Sequence, residues 1–407
     1  MIPVDKALEI VLAEAPVLPA EDVALPGALG RILAADVAAD ADLPPFDRAA
    51  MDGYAVRAAD VVSAPVVLDV VDTIAAGRYP THDVGPGQAA RIMTGAPVPI
   101  GASAVQQVEK TRVLDGGRRV EILAPVESGQ NVARRGSEAR AGDLVLPRGE
   151  KIDPAAVAVL AAVGKGQVRV GRQPEVAILV TGDELVDVWA APPRGRIRNS
   201  NGYALVAQVQ AAGGRPVDLG VVPDDRERIA KALKEAFRSD VVVISGGVSA
   251  GDYDFVEEVL TRYDVRVAFD KVAIKPGAPL VFGRRGDKLV FGLPGNPVSA
   301  QVTFDVFVRA ALLKMQGARV CGRPAVEAEL EAGLRNRSGR EAHLPVQVRF
   351  EGGRLVARPL RSAGSGDVVA HARANGFAVM DAARLQAGPG ETVRVLLASS
   401  FLDRDGL

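Results

Sequence analysis

Three glycine-marked turns, each following an apolar run, carry the residues with the most chemical potential. They are Ser245–Asp254, Lys271–Gly277 and Gly292–Ser299, which read SGGVSAGDYD, KVAIKPG and GLPGNPVS. Glycines in such turns let backbone N–H groups converge on an anion, and the acids and lysines add charge. The alternative is an ordinary strand-to-helix turn, but the two serines and two aspartates in the first loop favour a site. The turns therefore predict a site for a phosphate or another oxyanion.

Carboxylates follow other apolar runs in the same way. Thr181-Gly-Asp-Glu184 and the Asp224–Asp225 pair each come directly after a predicted strand. For any one of these acids, helix capping and metal binding are equally plausible, because Thr-x-x-Glu and Asp-x-x-Glu also resemble capping boxes. Placement on one rim with Asp252 and Asp254 favours a Mg²⁺ cluster, since Mg²⁺ needs few carboxylates and takes its other ligands from water and phosphate.

The elements that must position these residues alternate between strand and helix from Gln173 onward. Val176–Val180 and Asp240–Ser245 are continuous apolar strands, and residues 201–212, 226–238 and 298–314 have helical patterns. Apolar strands interleaved with helices indicate a parallel sheet covered on both faces. Ligands on such sheets bind beyond the carboxyl ends of the strands, so the acidic and glycine-rich turns should share one rim.

The rest of the chain predicts further domains. A length of 407 residues exceeds one ordinary core. We predict an α/β multidomain fold in which the central doubly wound parallel sheet is flanked by helical and β-rich N-terminal domains and a C-terminal β domain. The predicted boundaries are 1–42 with 141–172 as a discontinuous first domain, 43–140 as a β-rich second, 173–318 as the α/β third, and 319–407 as the fourth.

Composition excludes several classes of function. The net charge of −1 and an aromatic content of 4% give little to attract nucleic acid. A single cysteine, Cys321, rules out an internal disulfide and a thiolate metal site, and three dispersed histidines argue against a histidine-based centre. The N-terminus has the pattern of an amphipathic helix rather than a signal peptide, and no apolar run approaches membrane-spanning length, so we expect a cytoplasmic protein with no membrane contact.

Motifs along nearly the whole chain resemble the molybdopterin molybdenumtransferase family, the MoeA proteins, whose eukaryotic counterparts include the E domain of gephyrin. The family-like segments, in chain order, are PPFDRAAMDGYA, RIMTGAPVP, VTGDEL, NSNGY, the Asp224–Asp225 pair, SGGVSAGDYD, AIKPG and GLPGNPVSA. The resemblance implies four domains and a homodimer with its active cleft between subunits. It implies that adenylylated molybdopterin and molybdate give molybdenum cofactor and AMP with Mg²⁺, and that the product is handed to molybdenum enzymes.

The resemblance also assigns roles to individual positions. The implied catalytic residues are Asp52, Thr94, Glu184, Asp225, Asp254, Lys271 and Lys275. The implied substrate-binding residues are Ser245, Gly246, Gly247, Ser249, Gly251, Pro276, Asn296, Ser299, Arg340 and Ser365. The implied metal ligands are Glu184, Asp224, Asp225, Asp252 and Asp254.

Several positions depart from the family pattern. Ala278 stands where many members have a lysine, and Glu341-Ala-His343-Leu-Pro345 follows Arg340 where a second arginine is usual. His343 is a candidate substitute cation when protonated. Loss of cations should weaken an oxyanion pocket. The departures motivate a first alternative, a paralogue specific for another oxyanion such as tungstate. A second alternative is a non-catalytic carrier of molybdopterin, which the intact acids and lysines disfavour.

Overall fold

A computed structural model describes residues 1–247, 260–398 and Phe401. The predicted site residues Ser249, Gly251, Asp252 and Asp254 lie outside the described residues. The chain divides into two compact units. The first contains residues 1–35 and 148–153 and the described residues from Gln167 onward, and the second contains residues 36–147 and 154–166. The four predicted domain boundaries stay a prediction.

Three six-stranded sheets account for most of the regular structure. Their strands are β1 Gly53–Val56, β2 Val66–Ile74, β3 Gln88–Ile92, β4 Ala104–Gln107, β5 Thr111–Leu114, β6 Arg119–Ile122, β7 Glu175–Thr181, β8 Arg215–Val222, β9 Val241–Ser245, β10 Arg266–Lys271, β11 Ile274–Lys275, β12 Pro279–Arg285, β13 Lys288–Leu293, β14 Ala325–Leu330, β15 Glu341–Glu351, β16 Arg354–Pro359, β17 Gly376–Met380 and β18 Thr392–Leu397. Short two-stranded pairings join Ala20–Ala24 to Gln167–Gly171, Val37–Ala38 to Leu144–Leu146, Arg48–Ala49 to Val132–Ala133, Leu185–Val186 to Ile197–Arg198, and Leu334–Arg335 to Gln386–Ala387.

The helices with both ends in the described residues fall mainly around the central sheet. They are α1 Val4–Glu14, α2 Pro154–Ala162, α3 Asn201–Ala211, α4 Arg226–Ala236, α5 Pro297–Thr303, α6 Arg309–Met315 and α7 Val368–Arg373. The segment predicted as one helix over 298–314 is α5 and α6 joined by a π-helical turn at Phe304–Val308. Across the described residues, no helix is both long and apolar enough to cross a membrane.

The second unit is built on the sheet ordered β4-β1-β3-β2-β6-β5. Side chains alternate between its faces, because successive residues of a strand point to opposite sides. Tyr54 and Val56 of β1 enter one apolar cluster, and Ala55 enters another. Both faces are therefore covered, which explains why β1 is buried along its whole length.

The central sheet of the first unit has the order β8-β7-β9-β13-β12-β10. The strands β8, β7, β9 and β13 are parallel, which confirms the predicted fold class. Two antiparallel strands, β12 and β10, extend this sheet at one edge and were not predicted. A two-residue turn at Gly286-Asp287 joins β12 to β13, and Gly286 has the positive φ (59°) that such tight hairpins favour.

Helices cover both faces of the central sheet. Ile178 and Val243 face a cluster that contains α3, α5 and α6, whereas Leu179 and Ile244 face a cluster that contains α4. The N-terminal helix α1 contributes Val4, Ala7 and Val11 to the first cluster. Because both faces are buried, β7 and β9 are continuous apolar strands rather than alternating ones.

The C-terminal strands close on themselves. Their order is β11-β15-β16-β14-β18-β17, and β17 also pairs with β15. The predicted C-terminal β domain is therefore a small closed barrel. The strand β11 comes from the middle of the central-sheet segment, yet it pairs with β15 of the barrel, with Ile274 opposite Glu341 and Lys275 opposite Ala342.

Candidate functional site

A cleft of about 380 Å³ lies at the carboxyl ends of β7 and β9 in the first unit. This edge is where the fold places ligands, because the parallel strands end there and their turns open outward. The predicted site residues Glu184, Asp224, Ser245, Gly246, Gly247 and Asn296 line it. Thr181, Asn199 and Asn201 line it too, although the sequence did not single them out as ligands.

Gly246 brings the ends of β9 and β7 into close approach. It has a φ of 97°, and a Cβ there would lie 2.5 Å from the Thr181 carbonyl oxygen and 2.9 Å from Thr181 Oγ1. No other residue type fits that position without displacing the backbone. The first glycine of the Ser245 loop is thus required by the strand ends themselves, as well as by any ligand.

Buried polar groups form the floor of the cleft. Asn201 Nδ2 donates to Ser245 Oγ at 2.9 Å and to the Gly295 carbonyl at 2.8 Å, and Ser245 Oγ donates to the Pro294 carbonyl. These contacts fix the orientation of the amide, because Gly295 offers only an acceptor. The Ser245 hydroxyl is used internally, so it supports Asn201 instead of facing the cleft freely.

Two oxygens of the floor have no hydrogen-bond partner in the described chain. They are Asn201 Oδ1 and Thr181 Oγ1, and both are buried. A buried polar atom without a partner is costly, and the cost disappears when a ligand supplies one. The cleft therefore suits a ligand that carries N–H donors beside its anionic part.

The carboxylates near the cleft have separate tasks. Glu184 and Asp224 line it. Asp224 Oδ2 accepts a long hydrogen bond from Asp183 N at 3.4 Å, and Asp183 Oδ1 accepts one from Asp224 N at 3.3 Å. Asp225 caps α4, because its Oδ1 accepts from Arg228 N at 2.9 Å. Thr181–Glu184 begins no helix but ends β7 in a turn, so the capping-box interpretation is wrong for this segment.

The described residues contain no group of three or more carboxylate, histidine or cysteine side chains that could hold a metal. Glu184 and Asp224 are the carboxylates among the described residues that line the cleft. Two carboxylates fit Mg²⁺, which usually binds proteins through one or two of them and completes its shell with phosphate and water. The donor set therefore fits the cation only together with a phosphorylated ligand.

A second pocket of about 450 Å³ lies beside the first, and Asn296 lines both. Its walls include the predicted residues Lys275, Pro276, Ser299, Arg340 and Ser365. Lys275 and Arg340 are half-buried, and within the described part of the chain neither has a carboxylate partner. Asp367 also lines the pocket, but its oxygens accept from the N–H groups of Ala363 and Ala370. Two partly desolvated cations without an ion-pair partner favour an anionic ligand.

Strand pairing sets the positions of these cations. Lys275 lies opposite Ala342, and Arg340 immediately precedes Glu341, the first residue of β15. The Glu341 N–H donates to the Ala273 carbonyl at 2.9 Å. The Val298 N–H donates to the Ser365 carbonyl at 3.0 Å, which holds the serine loop against the start of α5. The pocket thus depends on the contact between the central sheet and the barrel.

Histidines and an alanine complete the second pocket. His343 is buried with its Nε2 2.8 Å from Glu341 Oε1, and His371 has a buried Nδ1 without a partner in the described chain. Burial lowers the pKa of His371, although Asp305 acts in the opposite direction. Ala278, which departs from the family pattern, is nearly buried in the same wall. No periodic or motif signal in the sequence marks His371 as a pocket residue.

Four of the predicted catalytic residues line neither pocket: Asp225, which caps α4, and Lys271, Asp52 and Thr94. Lys271 is half-exposed, and its Nζ lies 3.9 Å from Asp270. Asp52 and Thr94 belong to the second unit, where Asp52 Oδ1 accepts from Thr94 N at 2.7 Å and from Thr94 Oγ1 at 2.6 Å. The Thr94 hydroxyl and N–H bonds lower the pKa of Asp52, so it is a carboxylate at neutral pH.

Comparison with known proteins identifies the class. Three family profiles match: the MoeA N-terminal region (domain I and II) over residues 2–164, a probable molybdopterin binding domain over 177–314, and the MoeA C-terminal region (domain IV) over 327–398. The fold and the paired pockets thus define a protein of the MoeA class, built around a probable molybdopterin-binding domain.

Relatives narrow the identification. The chain is 36% identical to the molybdopterin molybdenumtransferase of Bacillus subtilis, over 97% of this chain and 94% of that one, and 34% identical to that of Staphylococcus aureus, over 98% and 96%. The crystal structure of a molybdopterin biosynthesis MoeA protein from Pyrococcus horikoshii OT3 is 33% identical, with a TM-score of 0.83 over 98% of this chain and 100% of that one. The chain belongs to the molybdopterin molybdenumtransferase family of enzymes.

Proposed function

We propose that the protein inserts molybdate into adenylylated molybdopterin and releases AMP in a Mg²⁺-dependent reaction. The observation that carries the proposal is the pair of pockets that share Asn296. One has unpartnered buried acceptors and is lined by two carboxylates, and the other has Lys275 and Arg340, neither of which forms an ion pair with a described residue. Such a pair suits a phosphorylated, N–H-bearing ligand next to a separate oxyanion.

The residues assign a role to each end of the site. Asn201 Oδ1 and Thr181 Oγ1 would accept from donors on the pterin, and Lys275, Arg340 and Ser299 would hold molybdate. The soft sulfur ligands for molybdenum come from the pterin dithiolene, so the protein needs no thiolate of its own. Cleavage of the phosphoanhydride P–O bond leaves the electron pair on the departing phosphate oxygen, and an oxygen from water or molybdate becomes bonded to phosphorus.

Glu184 and Asp224 would hold the magnesium ion. When bound, that cation would neutralise charge on the pyrophosphate. Without the cation, Glu184 and Asp224 would repel the ligand's phosphates, because like charges repel.

We further propose a cytoplasmic homodimer that passes its product to molybdenum enzymes. Asp52 and Thr94 would then meet the cleft of the other subunit. The hydrogen bonds from Thr94 keep the Asp52 carboxylate ionised and oriented. Glu184, Asp225, Lys271 and Lys275 stay in the proposed catalytic set, together with Asp254.

One assay tests the proposal. The protein is incubated with adenylylated molybdopterin, Mg²⁺ and molybdate, and AMP release and cofactor formation are followed together. We expect both products in equal amounts, and neither when Mg²⁺ is chelated. Tight binding of the adenylate without release would show a carrier instead of an enzyme.

The second candidate function is use of another oxyanion. Ala278 is the specific observation that favours it, because a methyl group occupies a pocket wall where many family members have an ammonium group. The same assay with tungstate in competition against molybdate decides between them. Turnover with tungstate but not with molybdate would show that tungstate is the substrate oxyanion.

A further inference from the structure

A ten-residue segment beside the cleft contains the chain's single tryptophan and has no role in the site described above. This segment, residues 187–196, is called the strap. It connects Leu185–Val186 to Ile197–Arg198, which pair in parallel. Leu185, Ile197 and Arg198 all line the cleft, so both ends of the strap begin at the cleft wall.

The base of the strap is ordered by main-chain bonds. Ile197 N donates to the Glu184 carbonyl and Asn199 N donates to the Val186 carbonyl, each at 2.9 Å. Arg198 Nε donates to the Ala190 carbonyl at 3.0 Å, which ties the strap to a cleft-lining side chain. Trp189 directly precedes Ala190, whose carbonyl is held by the Arg198 side chain of the cleft wall.

The Trp189 backbone is fixed while its ring is left uncovered. Its N–H donates to Asp187 Oδ1 at 2.9 Å, yet the residue is 91% exposed. An indole is a large apolar surface, and holding one in water on an ordered turn has a cost that a partner ring would remove. Within the described residues, nothing covers it.

Positive charge accompanies the ring. Arg194 and Arg196 are exposed, and neither forms an ion pair with any residue that the structure describes. An exposed aromatic ring and two guanidinium groups without ion-pair partners on the same ten-residue segment match a planar heteroaromatic ring that carries phosphate. The adenylylated substrate proposed above has two such rings, the adenine and the pterin.

We propose that the strap is a substrate-binding clamp, in which Trp189 stacks on a heteroaromatic ring of the ligand in the cleft while Arg194 and Arg196 contact its phosphates. The inference rests on the proposed function for the identity of the ligand. It adds a binding element that none of the family-like motifs contains, since these end at Leu185 and resume at Asn199.

The single tryptophan makes the test direct. When the full-length protein is excited at wavelengths beyond tyrosine absorption, its fluorescence reports Trp189 alone, because the chain has no other tryptophan. AMP, 6-hydroxymethylpterin and ribose 5-phosphate are titrated separately, and affinities are measured in parallel by calorimetry. We expect fluorescence quenching with AMP or with the pterin, and none with ribose 5-phosphate, which has phosphate but no aromatic ring.

The arms distinguish the two rings. Quenching by AMP assigns the stacking to adenine, and quenching by the pterin alone assigns it to the pterin. No response to either, or an equal response to ribose 5-phosphate, overturns the proposal. So does a tryptophan that acrylamide cannot reach in the free protein, because a second copy of the chain would then already cover the ring.

Variants provide the quantitative check. Trp189→Ala should weaken the affinity for the quenching ligand about 10-fold, and Trp189→Phe should retain most of it. Phe350→Ala, which removes another exposed ring on β15, is the matched control and should leave the affinity unchanged. Arg194→Gln with Arg196→Gln should weaken binding more at low salt than at high salt. Equal affinities for wild type and Trp189→Ala would overturn the clamp.

Failure of the clamp and failure of the proposed function are distinguishable. If Trp189→Ala releases AMP and forms cofactor at wild-type rates with unchanged ligand affinity, only the clamp is wrong. If AMP quenches the Trp189 fluorescence of the wild-type protein but the protein forms no cofactor, the clamp is supported and the proposed reaction is wrong.

Discussion

Lys275 and Lys271 show how neighbouring residues of one type acquire different tasks. The sequence presents them as equivalent lysines on either side of a short apolar run. In the structure, Lys275 lines a pocket without a carboxylate partner among the described residues, whereas Lys271 is half-exposed beside Asp270. The difference arises because the chain leaves the central sheet after Lys271 and joins the barrel at Ile274.

Replacement of Lys275 should therefore impair oxyanion binding selectively. Lys275→Met removes a half-buried charge-assisted donor, which is worth about 1.5–3 kcal/mol and corresponds to a rise of about 10- to 100-fold in the molybdate KM. Lys271→Met is the matched control. It should change the molybdate KM by less, because Lys271 does not line the pocket that contains Lys275. Steady-state kinetics at varied molybdate measure both. A larger effect for Lys271 would show that the second pocket is not the oxyanion site.

Helix and strand ends explain why adjacent aspartates differ. Asp224 lies on the cleft wall, and Asp225 accepts from Arg228 N at the start of α4. We expect Asp225→Ala to lower the free energy of unfolding by about 1 kcal/mol, because an N-cap is lost. Asp224→Ala should leave stability nearly unchanged and should raise the Mg²⁺ concentration needed for turnover. Urea denaturation and Mg²⁺ titration separate the effects, and the reverse pattern would exchange the two roles.

A second element-scale prediction concerns the start of β9. Asp240 accepts from both Arg172 Nη1 and Nη2 at 2.9 Å and from Glu175 N at 2.8 Å. Burial opposes ionisation of Asp240, but the bonds from Arg172 and Glu175 outweigh it, and its pKa is lowered. Because the folded pKa lies below the unfolded value, the ionised carboxylate stabilises the fold at neutral pH. This contribution is lost as the pH falls from about 3.9 through the folded pKa.

Asp240→Asn should consequently destabilise the protein by about 2 kcal/mol at pH 7 and by progressively less in acid. Urea unfolding of the variant and the wild type between pH 7 and pH 3 measures the difference. Asp22→Asn serves as the control, since Asp22 and Arg169 form an exposed pair that contributes little. A difference between wild type and Asp240→Asn that stays constant over this range would contradict the assigned cause.

Elements defined by neighbouring residues could be predicted from the sequence, whereas positions set by contacts between distant residues could not. The buried strands β7 and β9 were predictable because continuous apolar runs have few alternatives, and the glycines after β9 indicated a ligand edge. The antiparallel strands β12 and β10 were missed, although the Gly286-Asp287 turn was a local signal for a hairpin. Asn201 was missed as a cleft residue because its orientation depends on Ser245 and Gly295, which are distant in the chain.

At the scale of the whole molecule, the proposed dimer predicts complementation. Asp52→Asn removes a carboxylate of the second unit, and Lys275→Met removes a cation of the first. If each active site combines Asp52 of one subunit with Lys275 of the other, a mixed dimer keeps one intact site. Equal mixing with subunit exchange should restore about a quarter of wild-type activity, because half of the dimers are mixed and each has one working site.

The control for this experiment is a mixture of Glu184→Gln with Lys275→Met. Both residues belong to the first unit, so we expect both to come from the same subunit in each site. Every site in this mixture then carries one of the two substitutions, and no activity should return. Activity is measured after subunit exchange, and dimer formation is checked by sedimentation. Full-length dimers that exchange subunits without regaining activity in the Asp52 mixture would contradict a shared site.

Because β11 pairs with the barrel, the two pockets depend on different parts of the fold. The cleft beyond β7 and β9 is formed within one doubly wound domain, so an isolated domain of that kind can already offer it. The pocket with Lys275 and Arg340 requires in addition that β11 pairs with β15 of the barrel. Under the proposed function, damage to the barrel alone should therefore abolish oxyanion capture while leaving the cleft able to hold the organic part of the substrate.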